Sequence, residues 1–487
     1  MWTRRLVCTL STLAPVVFGL DSAFAQEGVP APAPPQPRPS EMPASSAPPT
    51  GPAAPRIMNL QPLERFAVTR QPQMLVAQAQ IGIAEGNVEQ ARSPFLPQIA
   101  AVAEYAYGNS IRPYSVTTST PTSGTATGTT TTPSMAMTST SSGGTSLSFS
   151  SALGFWDFGL SGTQLIYDFG QTAGRYRSAK ETLESQRLAE KTTLLQVLLA
   201  VRRAYFTARA NKELVDVQRE TLRDQESHLT QVQGMVQVGT QPEIALVTQK
   251  AAVANARVQL ITAQNNYETA KAQLNQAAGI TGGTDYDVGN ELVPPIDDEE
   301  QPLETLVNKA MQARPELATL DRQRSAQEAS VSAAKGGFGP TLSATGSVAE
   351  EGLALDGLQP AWSVGGLISW PIFQGGLTHG LVRSAEATLS SIEAQRTLEE
   401  LQVRLDVDSA QLAVRAGKAT IGASEDAVAN AREQLRLAEQ RYATGVGNII
   451  ELDDAQVAYT AAAAQLVQAR YALATARAQL LAALGRT

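Results

Sequence analysis

Two periodicities divide this chain. Some short stretches alternate apolar and polar residues, the mark of a strand with unlike faces, and some very long stretches read as helix. In the second half, Pro315 opens a predicted helix that runs to about Lys335, where Gly336-Gly337 ends it. Leu342, Ala344, Gly346 and Val348 then alternate with polar residues, and Gly352 to Pro360 reads as a loop. Trp362, Val364, Gly366, Ile368 and Trp370 alternate again until Pro371. From Leu377 to Ala443 there is no proline, and Ala, Leu, Glu, Gln and Arg dominate; these are the best helix formers. At 1.5 Å per residue that run spans roughly 100 Å. Thr444-Gly445-Val446-Gly447-Asn448 breaks it, and an Ala-rich helix follows from Ile449 to Leu484.

The first half repeats this order. Displaced by 206 positions, Tyr167-Asp168-Phe169-Gly170 falls on Phe373-Gln374-Gly375-Gly376, Arg177-Ser178-Ala179 on Arg383-Ser384-Ala385, Gly239 on Gly445 and Gly279 on Gly485. Upstream the displacement is 243, with Pro72 on Pro315 and Phe95-Leu96-Pro97 on Phe338-Gly339-Pro340. The first half therefore carries about 37 extra residues, which coincide with the Thr-, Ser- and Gly-rich tract Ser115 to Ser146. Such a tract cannot form a core and reads as an insertion at a loop tip. A long helix is expected from about Thr172 to Val238, a break at Gly239-Thr240-Gln241-Pro242, and a helix to Ala278. The helices that precede the strands and follow the breaks nearly sum to one long helix. Each half could thus build a wall two helices thick.

The N-terminus adds a destination. Arg4 and Arg5, the apolar run Leu6 to Leu20 and Ala23-Phe24-Ala25 form the three parts of a secretory signal. The expected divisions are a signal peptide at 1–25, a Pro/Ala-rich linker at 26–56, a first repeat at 57–280, a connector at 281–302 and a second repeat at 303–487. Cys8, the single cysteine, lies within the signal. No later stretch approaches 20 consecutive apolar residues. The fate left open is a soluble exported protein or a β-barrel, because backbone in lipid must be bonded as helix or closed sheet.

Four strands cannot close a barrel, and open edges are not tolerated in lipid. Strands that enter a membrane must therefore share one barrel with strands of sister chains. Trp362 and Trp370 bound one alternating face about 26 Å long, close to an outer-membrane apolar band flanked by aromatic girdles. Trp156, Phe158 and Leu160 occupy the matching face of the first half, and Tyr105 and Tyr107 end its first strand. Tyr105, Trp156, Trp362 and Trp370 are the expected aromatic belt. The fold class expected is mixed α and β, with four strands per chain, an internal two-fold repeat and a membrane β-barrel shared among protomers.

On these features the chain resembles the outer-membrane efflux proteins typified by TolC. The resemblance covers about residues 57–486. It rests on the doubled layout, on Phe95-Leu96-Pro97, on the two strand-to-helix tetrapeptides, and on two tips, Val238-Gly239-Thr240 and Tyr442-Ala443-Thr444-Gly445-Val446-Gly447. It implies a homotrimer, a 12-stranded barrel and a 12-helix antiparallel α-helical barrel, a coiled-coil tunnel through the periplasm. It further implies docking to a periplasmic adaptor (membrane fusion) protein and an inner-membrane pump of the RND, ABC or MFS type. Val238, Gly239, Thr240, Gly445, Val446 and Gly447 become adaptor-contacting tips. Tyr442, Glu451 and Asp454 match the family's gating tyrosine and two pore-facing acids. The chain departs from the pattern at Ala245, where the family has an acid, and at Gly447, where it has a basic partner. The inter-helix charge pair is therefore expected to be absent, and some other contact to hold the gate shut; Glu243 is near but unassigned.

The remaining signals carry no chemistry. The chain has a net charge of -8 and no basic block for nucleic acid. Asp168-Phe169-Gly170 lacks the companion motifs of a kinase, and no P-loop is present. His228 and His379 fit no metal spacing and read as helix-surface or junction residues. The acidic run Asp297 to Glu300 reads as solvated. No catalytic constellation, metal site or cofactor is expected. The leading reading is a passive outer-membrane exit duct with a long periplasmic extension, serving efflux or type I secretion. The rival is a soluble periplasmic coiled-coil scaffold or adaptor. If the tract 115–146 faces the outside, protease applied to whole cells cuts there; cleavage only after lysis contradicts that orientation.

Overall fold

The computed structural model describes residues 56–108, 153–291, 294–296 and 299–486. The signal peptide, the linker up to residue 55 and the tract 115–146 lie outside the described residues. In chain order the elements are β1 (Arg56–Met58), α1 (Leu60–Arg70), α2 (Pro72–Arg92), β2 (Gln98–Gly108), β3 (Leu153–Tyr167), α3 (Gln171–Gln237) and α4 (Glu243–Ala278). Then come β4 (Tyr286–Val288), α5 (Leu303–Ala313), α6 (Pro315–Gly336), β5 (Thr341–Gly352), β6 (Gln359–Ser369), α7 (Leu377–Ala443) and α8 (Ile449–Ala483). No described helix is long and apolar enough to cross a membrane.

Both long helices run 67 residues, as the proline-free stretches predict. Trp370 falls one residue beyond the last ladder pair, Thr341 with Ser369, because Pro371 has no N–H to continue pairing. Two boundaries move. Arg56, read as the end of the linker, begins β1, which pairs in parallel with β4. The connector 281–302 therefore contains a strand, because its Tyr286 and Val288 are buried against the long helices.

The helices form a wall in which the halves interleave. Toward the sheet, α3 packs against α2 on one flank and α6 on the other, and α6 packs in turn on α7. Away from the sheet, α3 packs against α4 and α8, and α8 packs on α7. Four helices thus stand abreast at either level. Where α4 gives way to α2, Gln71 Nε2 donates to the carbonyls of Gln276 and Ala277 at 3.3 and 3.1 Å. Where α8 gives way to α6, Arg314 Nε donates to the Ala483 carbonyl at 2.9 Å. Gly279 and Gly485 end their helices at φ +72° and +70°. A Cβ at either would fall within about 3.0 Å of backbone in the joint. Only glycine meets both demands.

One apolar core gathers Tyr205 and Phe206 of α3, Leu274 of α4, Val288 of β4 and Tyr471 of α8. A second gathers Leu306 of α5, Val403 and Val407 of α7 and Leu480 of α8. Polar ties brace both. Arg202 joins Glu64 at 2.6 Å, and Lys212 joins Asp287 at 2.6 Å. The acidic run expected to be solvated is not uniformly so. Glu299 is 4% exposed and bonds Arg477 and Lys418. Burial alone would push its carboxyl up; the bonds from Arg477 and Lys418 outweigh that and hold it low.

Helices α3 and α6 approach closely at Gly174, where a Cβ would lie 2.8 Å from Ala333 Cβ and 2.9 Å from the Ala329 carbonyl. Gly174→Ala must push the helices apart. It is expected to cost about 1–3 kcal/mol in denaturant unfolding followed by circular dichroism. Unchanged stability would show that this seam is loosely packed.

Candidate functional site

Two regions carry the residues that the sequence singled out. At one end, β2, β3, β5 and β6 form an antiparallel sheet in that order. The register places Ile99, Ala101, Ala103 and Tyr105 on one face with Gly162, Leu160, Phe158 and Trp156 opposite them. Val348 continues that face beside Leu160, and Trp362 stands opposite Val348. The other face carries Glu104, Asp157, Ser161, Thr163, Thr345, Ser347 and Ser363. One face is mostly apolar, with Glu350 opposite Phe158 its charged exception; the other is mostly small and polar, with Val102 and Phe155 among its residues. No described element covers the apolar one: Trp362 and Val364 are 77% and 79% exposed.

The expected belt residues all lie on the apolar side. Tyr105 stacks over Trp156 at 4.5 Å between ring centroids, and Trp156 over Phe158 at 5.9 Å. Trp370 is exposed, and its Nε1 donates to the Phe338 carbonyl at 3.1 Å. The sequence reading missed a further set at the helix end of the sheet. Tyr167, Phe169, Ile372 and Phe373 are all exposed, Phe373 at 90%. Tyr167 and Phe373 hold the same place in the two repeated tetrapeptides, and that shared aromatic was the available signal.

At the far end, each pair of helices closes in a tight turn. Gly239 and Gly445 sit at φ +77° and +75°, a conformation that a side chain disfavours. The Thr240 hydroxyl donates to the Met235 carbonyl at 2.9 Å, and the Thr444 hydroxyl to those of Gln440 and Arg441 at 3.1 Å. Val238 and Val446 are left exposed at the extreme ends. Gly447 lies so close to the chain that a Cβ would meet the Arg441 carbonyl carbon at 2.9 Å.

The gate residues separate in the structure. Tyr442 is buried in a cluster with Val232, Ala245, Leu435 and Leu452. Its Oη has no hydrogen-bond partner among the described residues. Burial, and then the nearby Asp453 charge, push its hydroxyl up. Glu451 and Asp454 are exposed, one helical step apart on α8. Glu451 is not free: Arg441 Nε lies 3.4 Å from its Oε1. This ion pair lies within the α7–α8 hairpin and is distinct from the pair expected between the two tips, for which positions 245 and 447 carry no charge. At position 447 the tight turn leaves little room for a side chain. Ala245 packs in the same cluster as Tyr442, so no acid could stand there without being buried. Glu243 lies in the first turn of α4, where an acid is favoured.

Two groups went unrecognised in the sequence. Asp453 is half-buried beside its exposed neighbour Asp454. His228, expected at a helix surface or junction, is only 9% exposed, because α3 turns that face toward α7 and α8. His379 does lie at a junction, with its ring 4.9 Å from Phe338. No cluster of three or more metal-binding side chains occurs among the described residues.

The family described as "Outer membrane efflux protein" matches over residues 66–280 and 306–486. Over 301 residues the chain is 26% identical to the probable efflux pump outer membrane protein TtgC of Pseudomonas putida, a match covering 58% of this chain. The matched stretch spans only 60% of that relative's length. The chain is 24% identical to outer membrane protein TolC of Escherichia coli over 418 residues, covering 81% of this chain and 76% of TolC. The crystal structure of the outer membrane protein VceC of Vibrio cholerae superposes with a TM-score of 0.72 at 17% identity, covering 88% of this chain and 96% of VceC. That likeness shows the fold: a helical tunnel with a β domain.

Because Tyr442 Oη is buried and unpartnered, Tyr442→Phe keeps the packing and removes a polar group that costs about 1–3 kcal/mol to bury unpaired. Hydrogen exchange of the α7–α8 tip amides should be unchanged or slower in that variant. Markedly faster exchange would mean that the hydroxyl gains a partner from another chain.

Proposed function

We infer what this chain does from its kinship: it belongs to the outer membrane efflux protein family. We propose that it is the outer-membrane exit duct of a tripartite efflux or type I secretion system. It conducts cargo passively from a periplasmic adaptor and an inner-membrane pump to the outside. The observation that carries this is the sheet. Among the described residues it has four strands, no strand paired with the outer edges of β2 and β6, and one mostly apolar face that nothing covers. In lipid those edges must be bonded, and sister chains are the natural source. Three copies would give a 12-stranded barrel, apolar outside and polar within, the order a membrane pore requires.

The helical wall supports the same assembly. Its flanks are apolar and uncovered at Leu398, Leu401, Leu405 and Leu412 of α7, Leu75, Val76 and Ile83 of α2, and Val258 and Ile261 of α4. Three four-helix walls joined along these flanks make a 12-helix tunnel. The sheet then sits in the outer membrane, the tunnel in the periplasm, and the tips (Val238, Gly239 and Thr240; Gly445, Val446 and Gly447) meet the adaptor. Energy comes from the pump, of RND, ABC or MFS type. A soluble scaffold would share the helices but would leave the apolar sheet face in water, where large patches are not sustained.

Threefold symmetry would gather Glu451 and Asp454 into a ring of six carboxylates, with Tyr442 holding α7 to α8 behind it. Arg441 offsets part of the Glu451 charge, so Asp454 carries the larger share of cation attraction. The purified mature protein should form trimers and discrete conductance steps in planar bilayers. Glu451→Ala with Asp454→Ala should weaken block by multivalent cations, and Asp454→Ala alone should account for most of the loss. Unchanged block would remove these acids from the pore. A monomer that stays in plain buffer with no affinity for bilayers would end the duct reading itself.

A further inference from the structure

We propose that His228 is an acid-sensitive latch at the tip, tying α3 to α7 and α8 when its imidazole takes up a second proton. The inference rests on the duct reading, and it names a means of regulation within the same gate.

Three helices meet at this side chain. His228 of α3 is 9% exposed, and its Nε2 is covered and has no hydrogen-bond partner among the described residues. Glu439 of α7 places Oε1 3.9 Å from that nitrogen, too far for a hydrogen bond and close enough for an ion pair. Asp453 of α8 is half-buried and interacts electrostatically with the imidazole, and the Gln225 side chain, one turn before His228, also favours its charged form. Tyr442 of α7 faces Asp453 as well. From α4 comes Gln249, which is uncharged and already donates to Gln225 at 2.6 Å. The charged groups facing the imidazole are thus carboxylates from two other helices, with Asp454 adding negative charge beside Asp453.

A neutral imidazole leaves Nε2 buried and unsatisfied, a cost to the closed packing. The imidazolium makes Nε2 a charged donor facing the Glu439 carboxylate, with Asp453 adding attraction from farther away. That converts a cost into charge-assisted contacts in a partly dry site. Histidine ordinarily changes charge between pH 5 and 8, a range to which the periplasm is exposed. The contacts cross between helices, so gaining them opposes separation of α3 from α7 and α8. Acid should therefore tighten the tip. The effect has a lower bound. Burial pushes the Asp453 carboxyl up, while the imidazole and Gln225 oppose that shift. In stronger acid Asp453 is neutralised and its share of the attraction is lost, so tightening passes through a maximum.

The test is single-channel conductance of the full-length mature protein in planar bilayers, between about pH 7.5 and about pH 5.5. Wild type should lose conductance on acidification, roughly threefold or more beyond the loss in His228→Gln. Glutamine keeps the polar contact and cannot titrate. Glu439→Gln removes one partner and should also flatten the response, a second route if His228→Gln disturbs the fold. Proton uptake by exposed pore carboxylates acts on all the proteins alike, so the difference between them is the readout. Channels that respond identically in wild type and both variants would overturn the latch and leave the duct standing. No channels from wild type at any pH would overturn the duct, and the latch with it.

Discussion

The unpaired backbone along β2 and β6 governs the rest of this molecule. Four strands leave one row of N–H and C=O groups at each side of the sheet, and the uncovered apolar face between them is suited to lipid rather than water. In lipid each unmade backbone bond costs several kcal/mol, so the sheet is complete only as part of a closed ring. The helical wall carries the same incompleteness into water as exposed leucines along α7 and exposed aliphatics along α2 and α4. One demand is for hydrogen bonds and the other for apolar burial. The proposed ring of three copies would answer both.

Wall thickness follows from two joints built by the same device. Neither α4 nor α8 is long enough to accompany a 67-residue partner alone. A second, shorter helix stacks on each, and each junction is stitched by a side chain bonding the last carbonyls of the helix that ends there. Gln71 and Arg314 are related by the upstream displacement of 243, and Gly279 and Gly485 by the downstream displacement of 206. The insertion that separates these two registers falls between β2 and β3 in the chain, outside both joints, so each joint keeps its register. Because α6 lies between α3 and α7, the second half completes the first half's wall, and neither half stands alone.

Much of this was legible in the chain. Proline-free runs of helix formers set α3 and α7 nearly to the residue, and alternation set β5 and β6, since both signals are local. Pairing between distant segments has no such signal. Nothing near Arg56 announces its strand with Tyr286, and nothing near Glu299 announces the arginine and lysine that bury it. Family spacing marked Glu451 and Asp454, but gave no sign that Arg441 pairs with Glu451 across α7 and α8. Likewise, matching by spacing could mark Tyr442 as important without saying that it is buried. Helical periodicity says which residues share a face; only the assembled wall says what that face meets.

Among the described residues, half of the buried side-chain atoms without partners cluster at one end of the wall. Near the equator, around the first apolar core, Arg209, Glu213 and Tyr471 bond one another and Asp287 bonds Tyr267 and Lys212, although the Tyr205 hydroxyl lacks a partner. At the tip, buried atoms of Tyr442, His228, Gln249 and Gln456 lack partners. Each such atom weakens the closed arrangement, since it would regain a hydrogen bond on meeting water. The tip cluster is also smaller, with Tyr442 and Leu452 its largest fully buried side chains, whereas the equator buries Tyr205, Phe206 and Leu274. If the tips are the duct's gate, opening them gives up less apolar burial than opening the wall around that core would. Low-stability regions are where proteins place their moving parts. In this chain the far end of the helices meets that condition, and the braced equator lets it give way without unfastening the rest.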